Sequence, residues 1–169
     1  MLNTDFVSRV LALCGQSYAE CDCKDVICKA LDIRMSGTNW LWRSINNSSK
    51  YRYLSARAWS PILQGDLKPG DVLFKMRAAI PDGYTDAPDA YHVGVYVGNG
   101  MVVHSSPNTG VRSAAYIYGA WQGWGQLKQV VYDDGHENAS HDPNNTKTEM
   151  TDHEMIKVIY LKICKERND

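Results

Sequence analysis

Asp22-Cys23 opens a run in which Cys23, Val26, Ile27, Ala30 and Leu31 recur at helical spacing, so Cys23 falls in the first turn of a helix that Asp22 would cap. The thiolate is the nucleophilic form of cysteine, and the unpaired backbone N–H groups of a helix start favour it. A free thiol with a pKa of about 8.5 is only a few per cent ionised at neutral pH, so a nucleophilic cysteine also needs an imidazole base. Two histidines, His92 and His104, lie outside the polar C-terminal stretch. Cys21 competes as nucleophile, but it precedes the cap and lies off the helix. Cys14 and Cys28 read as structural. A zinc site from Cys21, Cys23, Cys28 and a histidine is a weaker alternative, because structural zinc motifs favour paired C-x₂₋₄-C clusters and the chain has a single cluster. No metal or other cofactor is therefore expected.

His92 opens an alternating strand in which His92, Gly94 and Tyr96 share one face and Val93, Val95 and Val97 the other. The valine face is the natural core face. Whether His104 joins His92 depends on the turn at Gly98-Asn99-Gly100, since a one-residue slip flips every side chain. A two-residue Asn-Gly turn pairs Val95 with His104 and separates the histidines. A three-residue Gly-Asn-Gly loop pairs Val97 with Met101 and Gly94 with His104, which makes the histidines diagonal neighbours about 7–8 Å apart at Cα with Gly94 leaving room between them. A relay in which His104 orients His92, and His92 activates Cys23, predicts the longer turn.

The elements that would position these groups are legible around them. Phe6, Val7, Val10, Leu11 and Cys14 mark a first helix over 4–14, capped by Thr4 and stopped by Gly15. A third, short helix starts at Thr38 or Asn39 and carries Trp40, Leu41, Trp42 and Ile45. After Lys68-Pro69-Gly70-Asp71 come a strand over 72–76, a long loop over 77–91, the hairpin, and further strands over 110–117 and 126–132. Loops of that length are often functional. Its Asp82, Asp86 and Asp89 read most simply as solvated, and more sharply as a rim that selects a cationic substrate group. Helices first and antiparallel strands afterwards predict an α+β domain over 1–132. A polar linker over 133–154 and a tail over 155–169, in which helix and strand signals compete, complete the chain.

Composition narrows the functions. The 169 residues carry 18 Lys and Arg against 19 Asp and Glu, for a net charge of −1. With no basic run there is no electrostatic footprint for nucleic acid or an anionic membrane. No stretch approaches the roughly 18 apolar residues of a membrane span, and the N-terminus lacks the basic and apolar regions of a signal peptide. Five cysteines, odd in number and mostly bunched before residue 30, suit reduced thiols better than a disulfide framework.

Three pieces together resemble the NlpC-type cell-wall peptidases, which are papain-like: Asp22-Cys23 at a helix start, Leu67-Lys68-Pro69-Gly70-Asp71-Val72-Leu73-Phe74, and His92-Val93-Gly94-Val95-Tyr96-Val97-Gly98-Asn99-Gly100 followed by Val102-Val103-His104. The resemblance spans roughly residues 5–132. It implies a papain-like α+β fold with N-terminal helices packed on an antiparallel sheet. It also implies cleavage of a peptidoglycan stem-peptide amide through a thioester, with Cys23 as nucleophile, His92 as general base and His104 orienting it. Tyr18, shortly before the cysteine, would line the oxyanion region beside the Cys23 N–H. The Tyr18-x-x-x-Asp22-Cys23 spacing and the Asn39-Trp40-Leu41-Trp42-Arg43-Ser44 segment look most like short phage and prophage members. Phage tail proteins are then candidate partners, and action on the wall follows from a virion or from release out of the bacterial cytoplasm. Family members continue the cysteine motif with Ser-Gly, whereas this chain has Lys24-Asp25. That departure supports the alternative of a catalytically silent structural or wall-binding domain; an amidase or acyltransferase with the same Cys-His site is another.

Overall fold

The protein is described from a computed structural model covering residues 1–45, 50–51, 53–55, 58–59 and 62–132. The expected linker and tail over 133–169 lie outside the described residues. Helix α1, Asn3–Leu11, buries Phe6, Val7, Val10 and Leu11 along one stripe. It begins one residue before the expected cap, because the Asn3 N–H donates to the Val131 carbonyl and the Phe6 N–H to that of Leu2. Thr4 instead donates its own N–H to Asn3 Oδ1, 3.0 Å away. Helix α2, Asp25–Leu31, buries Val26, Ile27 and Ala30, and α3, Thr38–Ser44, buries Leu41. The Thr38 hydroxyl donates to the Ala90 carbonyl and ties α3 to the sheet.

The strands are β1 (Lys50–Tyr51), β2 (Tyr53–Ser55), β3 (Ala58–Trp59), β4 (Val72–Arg77), β5 (Asp89–Gly98), β6 (Met101–Ser106), β7 (Gly110–Ala115) and β8 (Gly123–Gly125). The main sheet runs β1-β8-β4-β5-β6-β7 with antiparallel neighbours, and β2 pairs with β3 apart from it. Strands β1 to β3 lie where the sequence pattern signals none.

Period-2 alternation sends Val72, Phe74 and Met76 of β4, Val93, Val95 and Val97 of β5, and Val103 of β6 into one core with the helices. Each such fully buried side chain contributes about 1.5–3 kcal/mol relative to exposure. The opposite face carries a smaller cluster of Ile62, Leu67, Leu73, Tyr96, Val102, Trp121 and Trp124. The α+β architecture with helices on an antiparallel sheet is as expected from sequence.

Two strand boundaries differ. Residues 126–132 form no strand; the Val130 N–H closes a turn on the Leu127 carbonyl, and Leu127 and Val130 both turn into the helix-side core. A single parallel bridge, Leu2 to Val131, joins this segment to the start of α1. The strand that completes the sheet is the preceding Gly-Trp-Gly of β8. Strand β7 stops at Ala115, because the Tyr116 N–H turns to the Gly100 carbonyl and its hydroxyl donates to the Ile62 carbonyl.

Candidate active site

Asp22 caps the cysteine turn from its own side chain. Its Oδ1 accepts the N–H groups of Lys24 at 2.9 Å and Asp25 at 3.0 Å, and the Val26 N–H reaches its carbonyl at 3.3 Å. Cys23 is therefore held in the turn that leads into α2 and not, as expected, in the first turn of the helix, because the Asp22 carboxylate takes the Lys24 and Asp25 N–H groups and the helix begins only at Asp25. Lys24 does not stand over the thiol as a lone charge, since its ammonium bridges Asp22 Oδ2 at 2.9 Å and Asp25 Oδ1 at 3.0 Å. The turn is fastened to the sheet where the buried Ser105 hydroxyl of β6 donates to the Cys21 carbonyl.

Strand β5 presents its histidine through a β-bulge. The β4–β5 register steps from Lys75↔His92 to Met76↔Ala90, which leaves Tyr91 unpaired and keeps both Ala90 and Val93 on the core side. Bulges next to active sites commonly re-aim a side chain in this way. Cys23 packs against the core cluster that holds Val93, next in the chain to His92, and the Val93 backbone N–H favours its thiolate. The cysteine and the histidine-bearing strand thus meet.

The hairpin combines the two registers weighed from sequence. Val95↔Val103 and Tyr96↔Val102 follow the register of the longer turn, whereas Gly98↔Met101 closes a two-residue Asn99-Gly100 turn, with the irregularity between Tyr96 and Gly98. Asn99 and both flanking glycines take positive φ. The outcome for the histidines is that of the longer turn: His92 Nε2 lies 3.2 Å from His104 Nδ1, with the rings at 87°. Gly94 is the space that permits it, since a Cβ there would come within 2.8 Å of Val102, 2.9 Å of Trp121 and 3.2 Å of His104.

Burial governs the protonation states. It pulls the half-buried His92 down to about 4, with His104 and Lys75 acting in the same direction. His104 is also lowered, by burial first and then by Lys75 and Arg112. Burial raises the Cys23 thiol above its usual range, outweighing the N–H groups of Val93, Lys24 and Cys23 itself. Those N–H groups soften the rise without reversing it. Cys21, fully buried, is pushed up to about 11 by desolvation. Tyr18 is raised by burial first and then by Cys23 and Asp22.

The acidic loop divides. Asp89 is buried, its Oδ2 bound by Arg77 at 2.6 Å and its Oδ1 by Asn39 Nδ2 at 2.8 Å. Asp86 meets Arg43 of α3 at 3.3 Å. Asp82 is exposed. Lys75 and Trp121 are the members of the site that sequence reasoning did not single out. The Trp121 ring stacks on His92 at 5.8 Å and 21°, and Lys75 Nζ lies 5.2 Å from the Trp121 centroid. Alternation in β4 already places Lys75 on the face away from the core, but its partner strand and register are needed to bring it to His92. Among the described residues no group of three or more His, Cys, Asp and Glu is arranged to hold a metal, and no helix is long and apolar enough to cross a membrane.

A cysteine in the turn before a helix, packed against an antiparallel sheet that carries paired histidines, brings together the residue types that a thiol nucleophile and its base require. The NlpC/P60 family model matches residues 12–128, and the chain belongs to that family. Among solved structures, a NlpC/P60 family protein from Bacillus cereus ATCC 10987 is similar at 16% identity and TM-score 0.37, over 63% of this chain and 31% of that one. NlpC1 from Trichomonas vaginalis is similar at 20% identity and TM-score 0.43, over 73% of this chain and 44% of that one. The chain thus spans less than half the length of either. No curated protein matches it significantly.

Proposed function

We propose that this domain hydrolyses an amide bond of a peptidoglycan stem peptide through Cys23, His92 and His104. The observation that carries the reading is the 3.2 Å His92–His104 contact between β5 and β6, with Cys23 packed against the core that holds Val93, the neighbour of His92. When His92 Nε2–H donates to His104 Nδ1, His92 keeps its lone pair on Nδ1 and can act as base; His104 fixes that tautomer. Cys23 Sγ attacks the carbonyl carbon as its proton passes to His92. The oxyanion is met by the Cys23 backbone N–H and the Tyr18 hydroxyl. The C–N bond then breaks as His92 returns the proton to the leaving amine. Water, deprotonated by His92, hydrolyses the thioester, releases the acid and restores the thiol.

Asp86 and Asp89 hold the loop to α3 and β4, which leaves the exposed Asp82 as the acidic residue available to a cationic stem residue. The local pairing of Lys24 with Asp22 and Asp25 makes the departure from Ser-Gly compatible with activity. Incubation with purified muropeptides and mass spectrometry of the products tests the reading. Hydrolysis of a stem-peptide bond, with one new amine and one new carboxylate, is expected. Acyl transfer to an added amine without hydrolysis, or intact muropeptides, would overturn it.

A further inference from the structure

Lys75 stands directly across β4–β5 from His92. Val72, Phe74 and Met76 point into the helix-side core, so Lys75 shares the other face with Trp121 and the two histidines. Its ammonium lies over the Trp121 ring, and that same ring stacks on His92 and meets His104 edge-on at 6.1 Å. Among the described residues, no carboxylate pairs with Lys75. With no carboxylate to offset it, its charge acts on two groups whose charge state decides the chemistry.

We infer that Lys75 is a positioning residue of the Cys-His site: seated over Trp121, it acts as a fixed like charge that keeps His92 and His104 in their neutral, proton-accepting form and speeds return of the proton from His92 to the leaving group. This rests on the thiol-hydrolase reading for its consequence in catalysis, but not for its effect on the imidazoles. The charged groups acting on the pair are Lys75 from β4 on both rings and Arg112 from β7 on His104; Trp121 brings no charge. Lys75 lowers the proton affinity of both rings, after burial in each case and after His104 in the case of His92. No acidic group offsets it at either ring.

NMR titration of the imidazole Cε1–H resonances in the intact chain tests the inference, read as pair values because the two rings are coupled. Lys75→Met is expected to raise the apparent values by about one unit, as loss of a like charge at this range does. Lys75→Arg should stay near wild type, and Lys75→Gln serves where the Met variant loses native shift dispersion. The acid limb of any muropeptide cleavage should move to higher pH in Lys75→Met alone. Unchanged or lowered values in folded Lys75→Met or Lys75→Gln would overturn the inference, as would an Arg variant that titrates like the Met variant. Wild-type protein that cleaves nothing, with the titration shift intact, would instead overturn the hydrolase reading and leave the Lys75 assignment standing.

Discussion

His92 Nε2 and His104 Nδ1 lie 3.2 Å apart across two antiparallel strands, with the rings nearly perpendicular. One proton serves this contact. With that proton on His92 Nε2, His104 accepts it and the lone pair on His92 Nδ1 is left free to act as base.

His104→Ala should therefore spare Cys23 and His92 yet lower the cleavage rate by about 10²-fold, the scale on which misplacing a catalytic group acts. His104→Asn or His104→Gln, which can still accept from His92, should recover part of the loss. Steady-state kinetics on a defined stem peptide would show the deficit in kcat. A deficit confined to KM would assign His104 to substrate binding instead.

The Cys23 thiol lies above its usual range because burial exceeds the help of three backbone N–H groups. A raised thiol pKa leaves less thiolate at any given pH. Alkylation of Cys23 by iodoacetamide should therefore climb with pH through and beyond about 8.5, the ordinary thiol range, with no acid plateau. A stable thiolate–imidazolium pair would give the reverse: reactivity maintained well below neutrality. Cys21, pushed up to about 11 and buried, should label only on unfolding. Peptide mapping after timed labelling distinguishes the two thiols.

Gly94→Ala places a methyl group within 3 Å of Val102 and Trp121 and at 3.2 Å from His104. Overpacking of this kind typically costs about 1–3 kcal/mol. The denaturation midpoint should fall, and the histidine contact should open, because the methyl enters the space between the strands that carry it. A variant of wild-type stability whose imidazole resonances are unchanged would show that Gly94 is not what admits the pair.

What the sequence made legible follows from the range of the interactions involved. The apolar stripe of α1 and the Val26, Ile27 and Ala30 stripe of α2 are local and emerge as read, and alternation in β5 marks the valine face correctly; α2, however, begins at Asp25, so Cys23 lies in the turn before it. The histidine register was open between two turns, because the deciding feature is an irregularity between Tyr96 and Gly98 that lets a two-residue turn coexist with the register of the longer one. Residues 126–132 look like a strand because Leu127 and Val130 are apolar, yet they plug the core from a turn; β8 is three residues of Gly-Trp-Gly, too short to carry a period. The Lys75–Trp121–His92 stack joins β4, β5 and the segment before β8, so no window of sequence contains it. Asp89 looked solvated beside Asp82 and Asp86, and only the fold brings Arg77 and Asn39 to it.

The account stands most directly on Cys23 as nucleophile. Cleavage of purified muropeptides by wild type, Cys23→Ala and Cys21→Ala, each checked for native folding by circular dichroism, is the decisive comparison. The account predicts complete loss in Cys23→Ala with the fold retained, and activity in Cys21→Ala reduced only as far as its packing is disturbed. Loss in Cys21→Ala with full activity in Cys23→Ala would contradict it.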